Sequence, residues 1–171
     1  MLQLTILLSV FLSHWQPTDL QANKNVQYRC LPCGRACDKT LQGSSGTCNS
    51  CHMELVKANT VYFNNTSPNQ ICSFLKQHPK TIIIDVRTKG EFEGKADPNF
   101  GSLKKAINIS IQDLPAKIAS IEQYKYSEIL VYCSHGHRSE QAAYLLNQSG
   151  FKKVTNMLGG MSVVPNSTCK N

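Results

Sequence analysis

The 171-residue chain is 41% hydrophobic and 17% charged, with a formal net charge of +7. Chains of this size and make-up hold one ordinary domain plus a small appendix. The basic residues are scattered, with no run longer than Lys104-Lys105 or Lys152-Lys153 and no interleaved aromatics. That pattern argues against a nucleic-acid stripe and fits a surface that draws in small anions.

Leu2 to Leu12 are nearly all apolar, and a polar stretch then ends at Leu20-Gln21-Ala22. Residues 1–22 read as a short export signal with a small residue before the cut. The apolar run is too short for a transmembrane helix, which needs ~20 such residues. No Lys or Arg follows Met1 at the front end, so an uncleaved N-terminal anchor is the alternative. Cleavage would remove Asp19 alone among charged residues and raise the net charge from +7 to +8. The expected location is periplasmic or extracellular.

Residues 23–57 are rich in cysteine: Cys30-Leu31-Pro32-Cys33-Gly34, then Cys37, then Cys48-Asn49-Ser50-Cys51. Two Cys-x2-Cys pairs separated by fourteen residues can wrap a tetrahedral thiolate site. Between them, Gly34 to Thr47 offers Leu41 as its only large apolar residue, so a metal would supply the stability that burial does not. The spacing predicts one structural zinc held by Cys30, Cys33, Cys48 and Cys51, with Cys37 dispensable, although Cys33-x3-Cys37 is also legal ligand spacing. In an oxidising compartment, disulfides are the rival use of these residues. His52 and Met53 are soft donors of the kind copper takes, and read more simply as packed or exposed neighbours.

Residues 58–66 form a polar linker and first strand around the short run Val61-Tyr62-Phe63. Ser67-Pro68-Asn69-Gln70 then opens a helix, with Ser67 as cap and Gln70 closing the box, and with Ile71, Phe74 and Leu75 on its buried face. Cys72 falls on that helix and reads as an inert thiol. Thr81 to Val86 is too continuously apolar for a half-exposed strand and suits a central parallel one, ending at Asp85. Ser110 to Asp113 caps a further helix that turns Leu114, Ile118 and Ile121 inward. Arg87 and Glu91, four apart, are spaced for a structural ion pair. The alternation of strands and helices predicts an α/β open parallel sheet flanked by helices, in which ligands bind at the carboxyl ends of strands.

Cys133-Ser134-His135-Gly136-His137-Arg138 lies between the apolar run Glu128 to Tyr132 and a helical stretch from Ser139 to Asn147. A thiol therefore sits where a loop enters a helix. Unpaired N–H groups at a helix start stabilise a thiolate over a thiol, and Gly136 lets the backbone curl. Arg138 adds a fixed ionised fork that can hold an oxyanion beside the sulfur.

Cys-x-x-Gly-x-Arg after a strand resembles the active-site loop of rhodanese-like sulfurtransferases. Ile82-Ile83-Ile84-Asp85-Val86-Arg87 is similar to the family's Asp-Val-Arg segment, and Ala106-Ile107-Asn108-Ile109 to its next strand. Gly150-Phe151 and Leu158-Gly159-Gly160 are similar to its closing signatures. The resemblance covers residues 67–164 and leaves 165–171 as a tail. Four residues separate Cys133 from Arg138 where cysteine phosphatases carry five, and the tighter loop suits a persulfide sulfur. Tyr28-Arg29-Cys30 together with Gly46 to Leu55 also resembles a small zinc-ribbon-like heavy-metal-binding domain.

The resemblance implies a sulfurtransferase in which Cys133 takes sulfane sulfur from a donor such as thiosulfate and hands it to a thiol or cyanide. Loop residues Ser134, His135, Gly136, His137 and Ser139 would then line the substrate, Arg138 would hold a sulfonate, and the two histidines would add positive charge when protonated or shuttle a proton. No organic cofactor, nucleic acid or membrane span in the mature chain is expected. Two alternatives remain: a catalytically silent metal-sensing or sulfur-binding module, and a cysteine phosphatase or arsenate reductase.

Overall fold

A computed structural model describes residues 26–165 and 169–170; the export signal expected at 1–22 lies outside them. Four short strands come first: β1 (Tyr28–Cys30), β2 (Leu41–Gln42), β3 (Gly46–Thr47) and β4 (Glu54–Lys57). They pair antiparallel in the order β2-β1-β4-β3, with a 3-10 turn, Ala36–Lys39, between β1 and β2. The interior of this ribbon is mostly sulfur: buried Cys30, Cys33, Cys48 and Leu55, edged by Tyr28, Cys37, Cys51 and Met53. One buried leucine is far less apolar surface than a segment of this size needs to order itself.

The second sheet contains β5 (Asn64–Thr66), β6 (Ile82–Asp85), β7 (Ile107–Asn108), β8 (Glu128–Tyr132) and β9 (Lys153–Met157). All its pairs are parallel, and the order is β5-β9-β8-β6-β7. The first strand forms at Asn64–Thr66, just after the apolar run Val61-Tyr62-Phe63. At a sheet edge the pairing is made by backbone, and Asn156 Nδ2 also donates to Asn65 Oδ1 at 2.9 Å.

Side chains on β6 and β8 alternate between two cores, as the period of a strand requires. Ile84, Ile129 and Val131 face Leu114, Ile121, Ala142, Leu146 and Phe151. Ile83, Leu130 and Tyr132 face Ile71, Leu103, Met157 and Met161. Buried on both faces, β8 is the middle strand of the five. The first of these cores is covered by α3 (Leu114–Lys117) and α4 (His137–Gln148), the second by α1 (Ile71–Gln77). A single turn, α2 (Lys89–Phe92), follows β6. Among the described residues no helix is long and apolar enough to cross a membrane.

Two local expectations change. Ser67 makes no side-chain cap hydrogen bond; Pro68–Gln70 forms a 3-10 turn before α1, so no capping box forms there. Cys72 is not an inert thiol but is bonded to Cys169, 97 residues away in sequence. Tyr132 sits between these parts: its hydroxyl accepts from the Leu103 N–H at 3.1 Å, and its ring lies 5.6 Å from the Arg87 guanidinium carbon.

A cross-link over so long a loop restricts the unfolded chain more than the folded one. Replacing both Cys72 and Cys169 with Ala is expected to cost about 2–4 kcal/mol in urea unfolding. The parallel sheet should survive in the variant's circular dichroism.

Candidate active site and metal centre

β8 ends at Tyr132, and the next residue is Cys133. The chain then turns into α4 through Gly136, whose φ of +95° is costly for any residue with a Cβ. A Cβ there would also approach the Gly159 nitrogen to 3.0 Å. This turn brings the Gly136 N–H to the Cys133 Sγ at 3.1 Å, at the start of a twelve-residue helix. The sulfur is 1% exposed, and its thiol donates toward Ser139 Oγ at 3.6 Å; Ser139 in turn donates to the Gly136 carbonyl at 3.0 Å.

The loop is fastened from behind. Met161 N–H donates to the Cys133 carbonyl at 2.8 Å and Ser162 N–H to the Ser134 carbonyl at 2.9 Å. A Cβ on Gly160 would stand 2.5 Å from the same two residues' backbone, so this approach requires glycine.

Arg138 is held on its other side by Glu91. Its two terminal nitrogens donate to the two carboxylate oxygens at 2.8 and 2.7 Å, and Ser134 Oγ donates to Glu91 Oε1 at 2.8 Å. Thr88 closes the arrangement: its N–H and hydroxyl reach Glu91 Oε2, both at 2.9 Å, and its Oγ1 accepts the Glu91 N–H, making a capping box on α2. Arg138 foremost, with Ser134 and Thr88, holds the Glu91 carboxyl far below the usual carboxylate range. Glu91 first, and behind it the Cys133 sulfur, raises the Arg138 guanidinium further.

The ion pair expected between Arg87 and Glu91 is not formed. The backbone remains extended at Thr88, so α2 begins only at Lys89 and the two residues share no helical face. Arg87, 1% exposed, turns back on Asp85, with Nη2 2.6 Å and Nε 3.0 Å from its oxygens, and also donates to the Gly101 carbonyl at 2.8 Å. Asp85, at the carboxyl end of β6, ties down the loop that follows through Arg87 and Asn108. Glu91 is the functional neighbour that spacing alone misassigned; the Thr88-x-x-Glu91 capping pattern was the available signal.

The two loop histidines are exposed and separate in role. His135 meets the Phe100 ring edge-on, centroids 5.4 Å apart. His137 Nδ1 lies 2.7 Å from the Cys33 carbonyl, and since a carbonyl only accepts, that nitrogen carries the hydrogen. Gly34 is pressed against the same residue: a Cβ there would stand 2.6 Å from His137 Nδ1. Gly34 N–H also donates to Glu140 Oε2 at 3.0 Å, one turn into α4. Burial, then Asp38 beside it, raises the Glu140 carboxyl to about 7. The cysteine ribbon is thus packed on the first turn of the helix that serves the thiol.

Within the ribbon all five cysteines are free thiols, and they group differently from the expected set of Cys30, Cys33, Cys48 and Cys51. The sulfurs of Cys30, Cys37, Cys48 and Cys51 all lie within 4.8 Å of one another, whereas Cys33 groups with Cys30, Cys37 and Asp38. The turn Ala36–Lys39 swings Cys37 back to 4.0 Å from Cys30, while Asp38 accepts the Cys33 N–H and draws its thiol to 3.3 Å. Cys37 is therefore part of the cluster and not a spare residue. Burial pushes the Cys30 thiol up and that of Cys33 to about 12, while a sulfur contact from Cys30 lowers Cys51 to about 7. Converging, largely buried sulfurs with little apolar surface around them could hold a thiophilic metal ion.

Because the folded Glu91 carboxyl titrates below its unfolded value, the clasp stabilises the fold fully above the ordinary carboxylate range and is lost as pH falls toward the folded value. Glu91→Gln is expected to cost about 1.5–3 kcal/mol in denaturant at neutral pH. The gap between variant and parent should shrink on acidification; a gap that stays constant to acid pH would show that the carboxylate charge contributes nothing.

The match to known proteins falls on this half of the chain. The family model described as Rhodanese-like domain matches residues 71–165. Relatives named tRNA uridine(34) hydroxylase include one from Cytophaga hutchinsonii, 29% identical over 90 residues, covering 51% of this chain and 27% of that protein. Another, from Nitrobacter winogradskyi, is 33% identical over 88 residues, covering 48% of this chain and 32% of that protein. The chain thus spans about a third or less of these relatives' length. The rhodanese-like domain protein from Staphylococcus aureus superposes with a TM-score of 0.52 at 21% identity, covering 63% of this chain and 97% of that one, a likeness of fold. With a matching family model over more than half its length, and a thiol seated at the head of α4 behind the middle strand of a parallel sheet, the chain belongs to the rhodanese-like domain family.

Proposed function

We propose that the protein is a sulfurtransferase that carries sulfane sulfur on Cys133, from a small anionic donor such as thiosulfate to a thiol or cyanide. The observation that carries this reading is the Gly136 N–H aimed at the Cys133 Sγ from the head of α4. A thiolate attacks the outer sulfur of thiosulfate; the new Sγ–S bond forms as the donor's S–S bond breaks, and sulfite leaves with the electron pair. The acceptor then attacks the outer sulfur of the persulfide, and the pair of the broken bond returns to Sγ. In both steps negative charge lies on sulfur beside the loop amides and the Arg138 guanidinium, which are already in position and need no reorganisation.

Arg138 serves two partners in this scheme. Glu91 takes its terminal nitrogens, while the Cys133 sulfur is near enough to raise its basicity. Zinc in the ribbon would be bound by its thiolates and would supply structural cross-links.

The surroundings support small reactants. Scattered lysines on a basic chain favour anions over an RNA backbone, and the RNA substrate in the relatives' names belongs to much longer proteins. The Cys72–Cys169 disulfide supports an exported protein in an oxidising compartment.

Treatment of the intact chain with thiosulfate should add one sulfur mass, and Cys133→Ser should lose both the adduct and turnover. Full turnover in Cys133→Ser would end this reading. Arg138→Ala should lower thiosulfate efficiency about ten- to a hundred-fold through loss of charge-assisted contacts. An uncharged persulfide donor should suffer less if Arg138 meets the sulfonate, and equally if its work is to hold the loop.

A further inference from the structure

The ribbon holds six candidate donors, and one tetrahedral ion uses four. The six fall into two quartets, each with its donor atoms within 4.8 Å of one another: Cys30, Cys37, Cys48 and Cys51, and Cys30, Cys33, Cys37 and Asp38. Cys30 and Cys37 belong to both. We propose that the ribbon binds two tetrahedral d10 ions, zinc in the first instance, which share Cys30 and Cys37 as bridging thiolates. Cys48 and Cys51 complete the first ion, and Cys33 and Asp38 the second.

The distances suit this arrangement. Zinc–sulfur bonds of ~2.3 Å in a tetrahedron place sulfurs ~3.8 Å apart. The edges Cys33–Cys37 and Cys37–Cys30 measure 3.7 and 4.0 Å. Cys33 Sγ to Asp38 Oδ1, a sulfur–oxygen edge, is 3.3 Å. The Cys30–Cys51 edge, at 2.9 Å, must open.

Asp38 is held as a ligating carboxylate is held. It is 6% exposed, and Oδ2 accepts two backbone N–H groups, from Cys33 at 2.9 Å and Gly34 at 2.7 Å. That fixes the group and turns Oδ1 toward the Cys33 sulfur. Without a metal the Cys33 thiol donates to that oxygen; a bound cation would take the place of its proton.

Charge agrees. Six anionic donors against two divalent ions leave about −2, the same residue as one zinc with four thiolates. Arg29, Arg35 and Lys39, together with the carboxyl of Glu140, line the cleft beside Asp38, and the Arg29 Nε is buried without a hydrogen-bond partner.

The test is zinc content by elemental analysis and native mass spectrometry on the full chain, with Cys72–Cys169 intact. Two zinc ions per chain are expected. Cys33→Ser and Asp38→Asn should each hold one; the asparagine keeps a carbonyl oxygen for the two backbone amides, so the turn survives. Cobalt loading supplies a readout independent of stoichiometry. The first equivalent should give a thiolate charge-transfer band and a high-spin resonance, and the second should quench that resonance through the shared sulfurs. One zinc in the parent chain, an undiminished count in Asp38→Asn, an unquenched second cobalt, or no metal with disulfides among the ribbon cysteines would each overturn the proposal.

Discussion

A chain that leaves a buried parallel strand and enters a helix within four residues, with a thiol beneath the turn, has almost no freedom left in its backbone. Gly136 supplies the left-handed step, and its N–H reaches the sulfur because of it. Everything around the turn holds it in that form. Gly159 and Gly160 bring a second strand of backbone against it, Glu91 braces it through Arg138 and Ser134, and the ribbon packs on its first helical turn at His137. The two cores on either face of β8 keep the strand rigid enough for these small contacts to matter.

The charged side chains around the sulfur are mostly paired with one another. Arg87 is consumed by Asp85 and the Gly101 carbonyl, and the terminal nitrogens of Arg138 by Glu91. What remains at the sulfur is the Gly136 N–H, the Ser139 hydroxyl and the braced guanidinium of Arg138. An arrangement of this kind is what the proposed sulfur transfer asks for, since it can meet negative charge on sulfur without reorganising.

The parts legible in the sequence are those whose cause is local. The apolar runs of β6 and β8, the glycine of the Cys133 turn and the helix after it follow from residues within a dozen positions of each other. The parts that were not legible depend on distance. Arg138 finds Glu91 across 47 residues, His137 finds Cys33 across 104, and Cys72 finds Cys169 across 97. The ribbon shows the same limit on a small scale: spacing shows that the cysteines cluster, but a 3-10 turn of four residues decides that Cys37 faces Cys30 while Cys33 turns to Asp38. Arg87 and Glu91 failed as a pair because spacing describes a helix that begins two residues too late to contain both.

The hydrogen bonds from Met161 and Ser162 to the carbonyls of Cys133 and Ser134 also carry a meaning in time. A ribosome delivers the thiol and its turn well before the segment that secures them, and the covalent bridge that ties the later stretch to α1 needs Cys169, later still. During synthesis the Cys133 thiol is thus present before the hydrogen bonds that seat its loop, and that seat is completed only as the domain closes around it.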